Sequence, residues 1–262
     1  INRKAFQLTL QERTLGFSNI RLYTVGECEF TQSARYLVDA TGRRSVLANQ
    51  LGSSRHYFDK QIALVAVFHT PKACDSERHI LIESTPSGWW YSSHLPENRR
   101  VVMFFTDGDL ISTEKRSLSQ TLQQRLRETD HTSRILYQYD YQPCFDPWVE
   151  RAGNSIQNRI AGGNWLSVGD AAATFNPITA QGLITAFRFV LKAREALALA
   201  IRAGSPISLH YHNAYREHFT KICKLQFELF QQETRWPKST YWKRRQCKLQ
   251  DSFTLNESAV AS

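Results

Sequence analysis

The most chemically suggestive stretch of this 262-residue chain runs from Ser167 to Leu183: Ser167-Val168-Gly169-Asp170-Ala171-Ala172-Ala173-Thr174-Phe175-Asn176-Pro177-Ile178-Thr179-Ala180-Gln181-Gly182-Leu183. An apolar run (Trp165, Leu166, Val168) ends in Gly169-Asp170, a small-residue stretch follows, then a proline turn, then Gly182 at the head of a long helix. Gly169 lets the backbone approach a ligand closely. An ionised Asp170 accepts hydrogen bonds and donates none, which suits a polyol hydroxyl. Pro177 fixes φ ahead of the helix. The unpaired N–H groups at Gly182 and Leu183 carry the positive end of the helix dipole. One carboxylate and one helix N-terminus can therefore face the same ligand. The plainer alternative is an ordinary strand-turn-helix with an aspartate at its head.

Three further segments hold chemistry-bearing residues. Asp39-Ala40-Thr41-Gly42-Arg43 follows a short apolar run and reads either as a ligand loop or as a turn. In Gly88-Trp89-Trp90-Tyr91-Ser92-Ser93-His94-Leu95-Pro96, strand alternation sets Trp89, Tyr91 and Ser93 on one face and Trp90, Ser92 and His94 on the other. Such a face suits an aromatic ring system, and it equally suits a half-buried sheet. From Glu233 to Arg245, Trp236, Tyr241 and Trp242 alternate with Arg235, Lys238, Lys243, Arg244 and Arg245. That tail is expected either to engage a polypeptide partner through aromatic and arginine contacts or to pack on its own domain with its cations snorkelling. His210 and His212 point apart on a helix, so no metal site is expected. There is no P-loop and no nucleophile elbow.

Together these segments resemble the FAD-dependent monooxygenases of the para-hydroxybenzoate hydroxylase (PHBH) and tryptophan halogenase superfamily. Within it they look most like flavoproteins that mature tryptophylquinone cofactors of lysine and glycine oxidases. The resemblance covers roughly residues 36–245. It implies FAD as cofactor, contacted through Asp39, Gly42, Arg43, Gly169, Asp170, Pro177, Gln181, Gly182 and Leu183. The 170 aspartate would hold the ribityl chain, the amides near Gly182 would face the flavin ring, and the 39–43 element would lie near the pyrophosphate. Trp89, Trp90 and His94 become substrate-binding candidates; no catalytic acid or base is identified. The implied reaction is oxidation of an aromatic group, including a tryptophan side chain of a partner polypeptide. The alternatives are a tryptophan halogenase or small-aromatic hydroxylase, and a non-catalytic truncated flavoprotein that binds a partner. The halogenase Gly-Trp-x-Trp-x-Ile-Pro stretch is only loosely matched, because Trp90 sits one position early and Ser93-His94 precede Leu95-Pro96. The Gly-x-Gly-x-x-Gly that places a pyrophosphate on a helix N-terminus is missing, so the chain is expected to start partway through such a protein and to bind FAD weakly or not at all by itself.

The elements that must position these residues follow from composition and periodicity. A hydrophobic content of 42% with 12% aromatics supports a sizeable core. No run of 18 apolar residues marks a membrane span. Five scattered cysteines without Cys-x-x-Cys point to reduced thiols in the cytoplasm. Of the +9 net charge, much lies in residues 210–250, without any nucleic-acid-binding motif. Strands are predicted from the alternation of Phe6, Leu8 and Leu10, in Ile20–Val25, in Tyr36–Val38, and at 61–69, 79–85, 89–95 and 100–106. Helices are predicted at 117–128, at 184–203 with Ile184, Phe187, Val190, Leu191, Leu197 and Ile201 as its apolar stripe, and at 208–232. The expected fold is α+β (α/β), a partial PHBH-like FAD-binding fold with an antiparallel substrate sheet and C-terminal helices. Its expected divisions are 1–54 (FAD-domain segment), 55–145 (substrate-domain sheet), 146–245 (FAD-domain return) and 246–262 (flexible tail).

Overall fold

The computed structural model describes residues 3–20, 34–71, 75–76, 78–111 and 116–247. They fall in two units, residues 1–37 and 38–262. The first contains helix α1 (Arg3–Leu15). This corrects the strand expected from Phe6, Leu8 and Leu10: three alternating apolar residues fit a helix as readily as a strand, and the surrounding Leu, Gln, Glu and Arg are strong helix formers. The run expected at Ile20–Val25 lies outside the described residues beyond Ile20.

β1 (Leu37–Asp39) leads into a short 3-10 turn (Gly42–Arg44), α2 (Val46–Gln50) and β2 (Arg55–Tyr57). An antiparallel sheet follows, from β3 (Gln61–His69), β4 (Leu81–Thr85), β5 (Gly88–Leu95) and β6 (Arg99–Asp107), in the order β4-β5-β6-β3. These are the four strands that the apolar runs and proline turns predicted. At the β5–β6 turn Glu97 and Asn98 both take positive φ (64° and 52°), the conformation that a tight hairpin requires. After α3 (Gly108–Ile111), α4 (Leu118–Leu126) and α5 (His131–Gln138), strands β7 (Gln142–Pro143) and β8 (Trp148–Arg151) both pair with the free edge of β3.

The sheet is covered on both faces. Register sets Trp89 opposite Phe105 and Trp90 opposite Phe104, and each pair stacks, with ring centroids 3.9 and 4.7 Å apart. One face, with Leu64, Phe68, Trp90, Val102 and Phe104, packs on Leu122 of α4 and Ile135 and Leu136 of α5. The other, with Val65, Val67, Trp89, Val101 and Phe105, packs on Phe230, Tyr241 and Trp242.

The remaining strands are short. β9 (Ser155–Gln157) lies between β2 and β12 (Ala173–Thr174), and β10 (Ala161–Gly162) pairs with β11 (Trp165–Ser167). Three helices close the chain: α6 (Gly182–Ala203), α7 (Leu209–Gln231) and α8 (Thr240–Gln246). Their ends carry the expected signals. Ser117 and Gln120 form a capping box on α4, Ser208 caps α7, and Gly204 ends α6 in the left-handed conformation.

One expectation is overturned here, and one pair of alternatives is narrowed. The predicted apolar stripe of α6 is its exposed face: Ile184, Phe187, Val190, Leu191 and Ile201 are 47–62% exposed, while Thr185, Phe189, Ala193 and Ala200 are buried. Periodicity reveals which residues share a face and not which face is covered, and small residues permit the closer backbone approach. In the basic aromatic tail, residues 241–245 take the packed reading. Tyr241 and Trp242 are buried, the Trp242 indole donates to the Thr85 carbonyl, and Arg244 and Arg245 pair with Asp107 and Asp109.

Candidate functional site

Two loops far apart in sequence meet at the site. In the first, Asp39 is fully buried. One of its oxygens accepts from the Thr41 amide (2.9 Å) and hydroxyl (2.6 Å), and the other from the Ala48 amide (2.8 Å). The carboxylate thus shapes the loop and caps α2. Gly42 takes φ +69°, which a side chain resists. Ser45 also adopts a left-handed backbone (φ 45°) and is fully buried, with its hydroxyl donating to the Ala171 carbonyl at 2.9 Å.

The second loop is clamped from behind. Tyr211 and Tyr215 of α7 donate to the Ser167 and Gly169 carbonyls at 2.8 and 3.1 Å. Burial raises both phenols well above the ordinary tyrosine range, so they remain donors. The Arg55 guanidinium donates to the carbonyls of Asp170 (2.7 Å) and Ala171 (2.9 Å) and to the Ser155 hydroxyl (2.8 Å), and it contacts the Ser45 hydroxyl. Its burial works against its charge, so the ring of oxygens around it is what sustains the cation. Gly169 has φ +56°, and a Cβ there would lie 3.7 Å from Ala186 of α6. The backbone of residues 167–171 is therefore fixed, while the Asp170 side chain points outward. Its partner is Arg43, at 3.4 Å, and the two side chains are 45% and 44% exposed. The fold has brought together two predicted ligand residues 127 positions apart.

Asn176 governs the approach to α6. Its side-chain oxygen accepts from the Ile178 amide (3.1 Å), capping a single 3-10 turn over Pro177–Thr179. Ala180 then takes φ 51°, an uncommon left-handed state for a residue with a Cβ. Gln181 donates to the Thr179 carbonyl (3.2 Å), and its side chain makes no capping bond to α6. No acidic residue occupies the first turn of that helix. A Cβ built on Gly182 would meet nothing within 4 Å, and Leu183 is half exposed. An uncapped, unobstructed helix N-terminus favours a negatively charged group, and the neighbouring Asp170 accepts from hydroxyls. The residues present fit a ligand that carries both, as FAD does.

The substrate candidates are dispersed. Trp89 and Trp90 lie in the cores on opposite faces of the sheet, and neither indole is open to solvent. Ile178, on the Pro177 turn, packs on the Trp89 cluster, so Trp89 backs the site from within. His94 lies at the far end of β5, lining a cavity of about 430 Å³ with Arg78, Leu95 and Glu97. Its imidazole is shifted down by burial and by Arg78. His212 accepts from the Ile160 amide at 3.2 Å, and burial pushes it down to about 4, so its ring is neutral at neutral pH. Among the described residues no group of three or more His, Cys, Asp or Glu could hold a metal, and no helix is long and apolar enough to cross a membrane.

Sequence reading missed Arg55, Ser45, Tyr211 and Tyr215 as site supports. Each acts through backbone carbonyls, and a hydrogen bond to a carbonyl leaves no residue-type signature on its partner.

The FAD binding domain family matches residues 5–225. A protein of Marinomonas mediterranea whose name describes an FAD-dependent oxidoreductase, LodB, is 29% identical over 219 residues. That match covers 83% of this chain and 58% of LodB, so the chain spans a little over half the length of that relative. Among solved structures, CmlS, a flavin-dependent halogenase, superposes with a TM-score of 0.70 at 17% identity, over 82% of this chain and 40% of its own. The myxobacterial chondrochloren halogenase CndH gives 0.69 at 18% identity, over 87% and 54%. QhpG, a peptidyl tryptophan dihydroxylase essential for tryptophylquinone cofactor biogenesis, gives 0.59 at 19% identity, over 71% and 43%. At these identities the three structures establish the fold.

Proposed function

This chain belongs to the FAD binding domain family and its cofactor is FAD; on that premise we propose that it is part of an oxidoreductase that modifies an aromatic group, with a tryptophan side chain of a partner polypeptide as substrate. The observation that carries the proposal is the outward Asp170 carboxylate on a clamped backbone, beside the uncapped N-terminus of α6. Asp170 would accept from the hydroxylated chain of the cofactor. The amides at Gly182 and Leu183 would lend helix-end donors to the electron-accepting ring, which favour its reduced, anionic form. Arg43 would supply positive charge for the phosphates. Asp39 and Gly42 hold the loop that carries Arg43, and Pro177 and Gln181 set the start of α6. When bound, FAD supplies redox chemistry with dioxygen, and the protein orients it and excludes water.

The division into an FAD-domain segment (1–54), a substrate sheet (55–145) and an FAD-domain return (146–245) belongs to the same proposal. On the Trp89 face of the sheet, Tyr91, Leu95, Met103 and Ile178 are only partly buried, and we assign them to the side that receives the aromatic substrate. Trp89 then backs that side, whereas Trp90 lies on the opposite face of the sheet and His94 in the cavity at the end of β5. That QhpG is a peptidyl tryptophan dihydroxylase supports the tryptophan reading. The free thiols Cys144, Cys223 and Cys247 accord with a cytoplasmic setting.

The test is incubation of the protein with FAD, a reductant, air and a tryptophan-containing peptide. The expected result is a mass gain of whole oxygen atoms on tryptophan. A halogen added when halide is present, with no oxygen gain, would overturn the assignment.

A further inference from the structure

The C-terminal helix reaches the start of α6 through a buried polar chain. The side-chain oxygen of Gln61, a fully enclosed residue of β3, accepts from four donors. They are the Asn176 amide (3.0 Å), the Tyr241 hydroxyl (2.9 Å) and two guanidinium nitrogens of Arg245 (3.0 and 3.3 Å). Guanidinium only donates, so the oxygen end of Gln61 must face it; the other end donates to the Ala152 carbonyl at 3.3 Å. Arg245 is fixed in turn by Asp107, at 2.7 and 3.3 Å, and lies over the Tyr241 ring at 3.6 Å. At the other end, Asn176 has its amide on the Asn154 side chain (2.8 Å) and its carbonyl on Gln226 (3.2 Å). Its own side chain caps the Pro177–Thr179 turn that leads through Ala180 to Gly182.

We infer that Arg245, Tyr241 and Gln61 are positioning residues for the N-terminus of α6: they hold Asn176, and Asn176 holds the turn. This rests on the flavin reading of the site only in what the turn is positioned for. A side chain with one fixed orientation is needed because Ala180 occupies a strained left-handed state that persists only where its surroundings over-determine it. The buried Gln61–Asn176 bond joins the strand bearing the sheet core to that turn. α8 is thereby a strut for the site and not merely a cover for the sheet.

The experiment is amide hydrogen exchange on the FAD-free protein, comparing wild type with Arg245→Lys, which keeps the charge beside Asp107 but cannot fork to Gln61. Exchange at Ile178 and Ala180 is expected to speed about tenfold, while amides in the middle of α7 change less than twofold. Equal acceleration everywhere would make Arg245 a general stabiliser; in that case Asn176→Asp decides on the same criterion, since it keeps the cap on Ile178 and replaces the donor to Gln61 with an acceptor. No preferential change at Ile178 and Ala180 in either variant overturns the inference. FAD titration of the same proteins separates the two layers. A wild type that binds no FAD, as a chain without the pyrophosphate-binding glycines can, leaves the exchange result to judge the strut. A wild type that binds FAD, with affinity and visible spectrum unaltered in both variants, defeats the claim that the strut serves the cofactor.

Discussion

Two arginine–aspartate pairs in this molecule have opposite characters. Arg43–Asp170 is exposed on both sides and meets at a single 3.4 Å contact. Arg245–Asp107 is 9% and 3% exposed, makes contacts of 2.7 and 3.3 Å, and is hydrogen-bonded on every flank. Exposed pairs contribute about 0–1 kcal/mol to stability, whereas removing one member of a buried pair costs about 3–5 kcal/mol because the other charge is left behind. The first pair can therefore open for a ligand at little cost to the fold, and the second cannot. Both come from motifs in which arginine is surrounded by plausible binding chemistry. What separates them is whether the fold supplies enough partners to satisfy the charge.

The largest effect should come from breaking the buried pair. Arg245→Met is expected to lower stability by about 3 kcal/mol, the low end of the range because Arg244 also reaches Asp107 at 2.9 Å. Urea denaturation measures it, and a loss below about 1 kcal/mol would place Arg245 with the exposed pair. A smaller effect distinguishes the edge of the same cluster. The Arg244 hydrogen bonds hold the Asp109 carboxyl down to about 2, from an ordinary 3.8. A depressed carboxylate stabilises the fold above its ordinary value, and that contribution is lost as pH falls from about 4 to about 2. Asp109 is partly exposed and screened by solvent, so the acid step should be below about 1 kcal/mol, shrink in 1 M salt, and shrink most in Arg244→Met, where Lys60 alone still faces the carboxylate. A step that ignores salt would mean the carboxylate is desolvated. Smallest of all, Arg43→Met should leave the melting temperature within about 2 °C of wild type; a larger drop would show that the exposed pair is structural after all.

Much of the fold was legible because its signals are local. Apolar runs marked β3 to β6, and helical periodicity marked α4, α6 and α7. Gly169, Asp170 and Gly182 were legible for the same reason, since strand, turn and helix start lie within a few residues. The misreadings concern what covers what. α6 shows the same 3.6-residue pattern whichever face is packed. The 235–245 tail has the composition of an interface, and it is one, but with its own sheet. Arg55, Gln61 and Asn176 left no readable trace because their partners are backbone carbonyls or amide groups far away in sequence.

The central claim is that Asp170 is held out for the cofactor and is not needed for the fold. Titration of FAD into wild type and Asp170→Ala, followed by flavin fluorescence alongside the melting temperature of the FAD-free proteins, tests it directly. Loss of a charge-assisted hydrogen bond of about 1.5–3 kcal/mol predicts an affinity roughly ten- to a hundredfold weaker, with melting temperatures within about 2 °C because the ion pair is exposed. Equal FAD affinity in the two proteins, or a mutant that loses FAD only because it melts, would contradict the account.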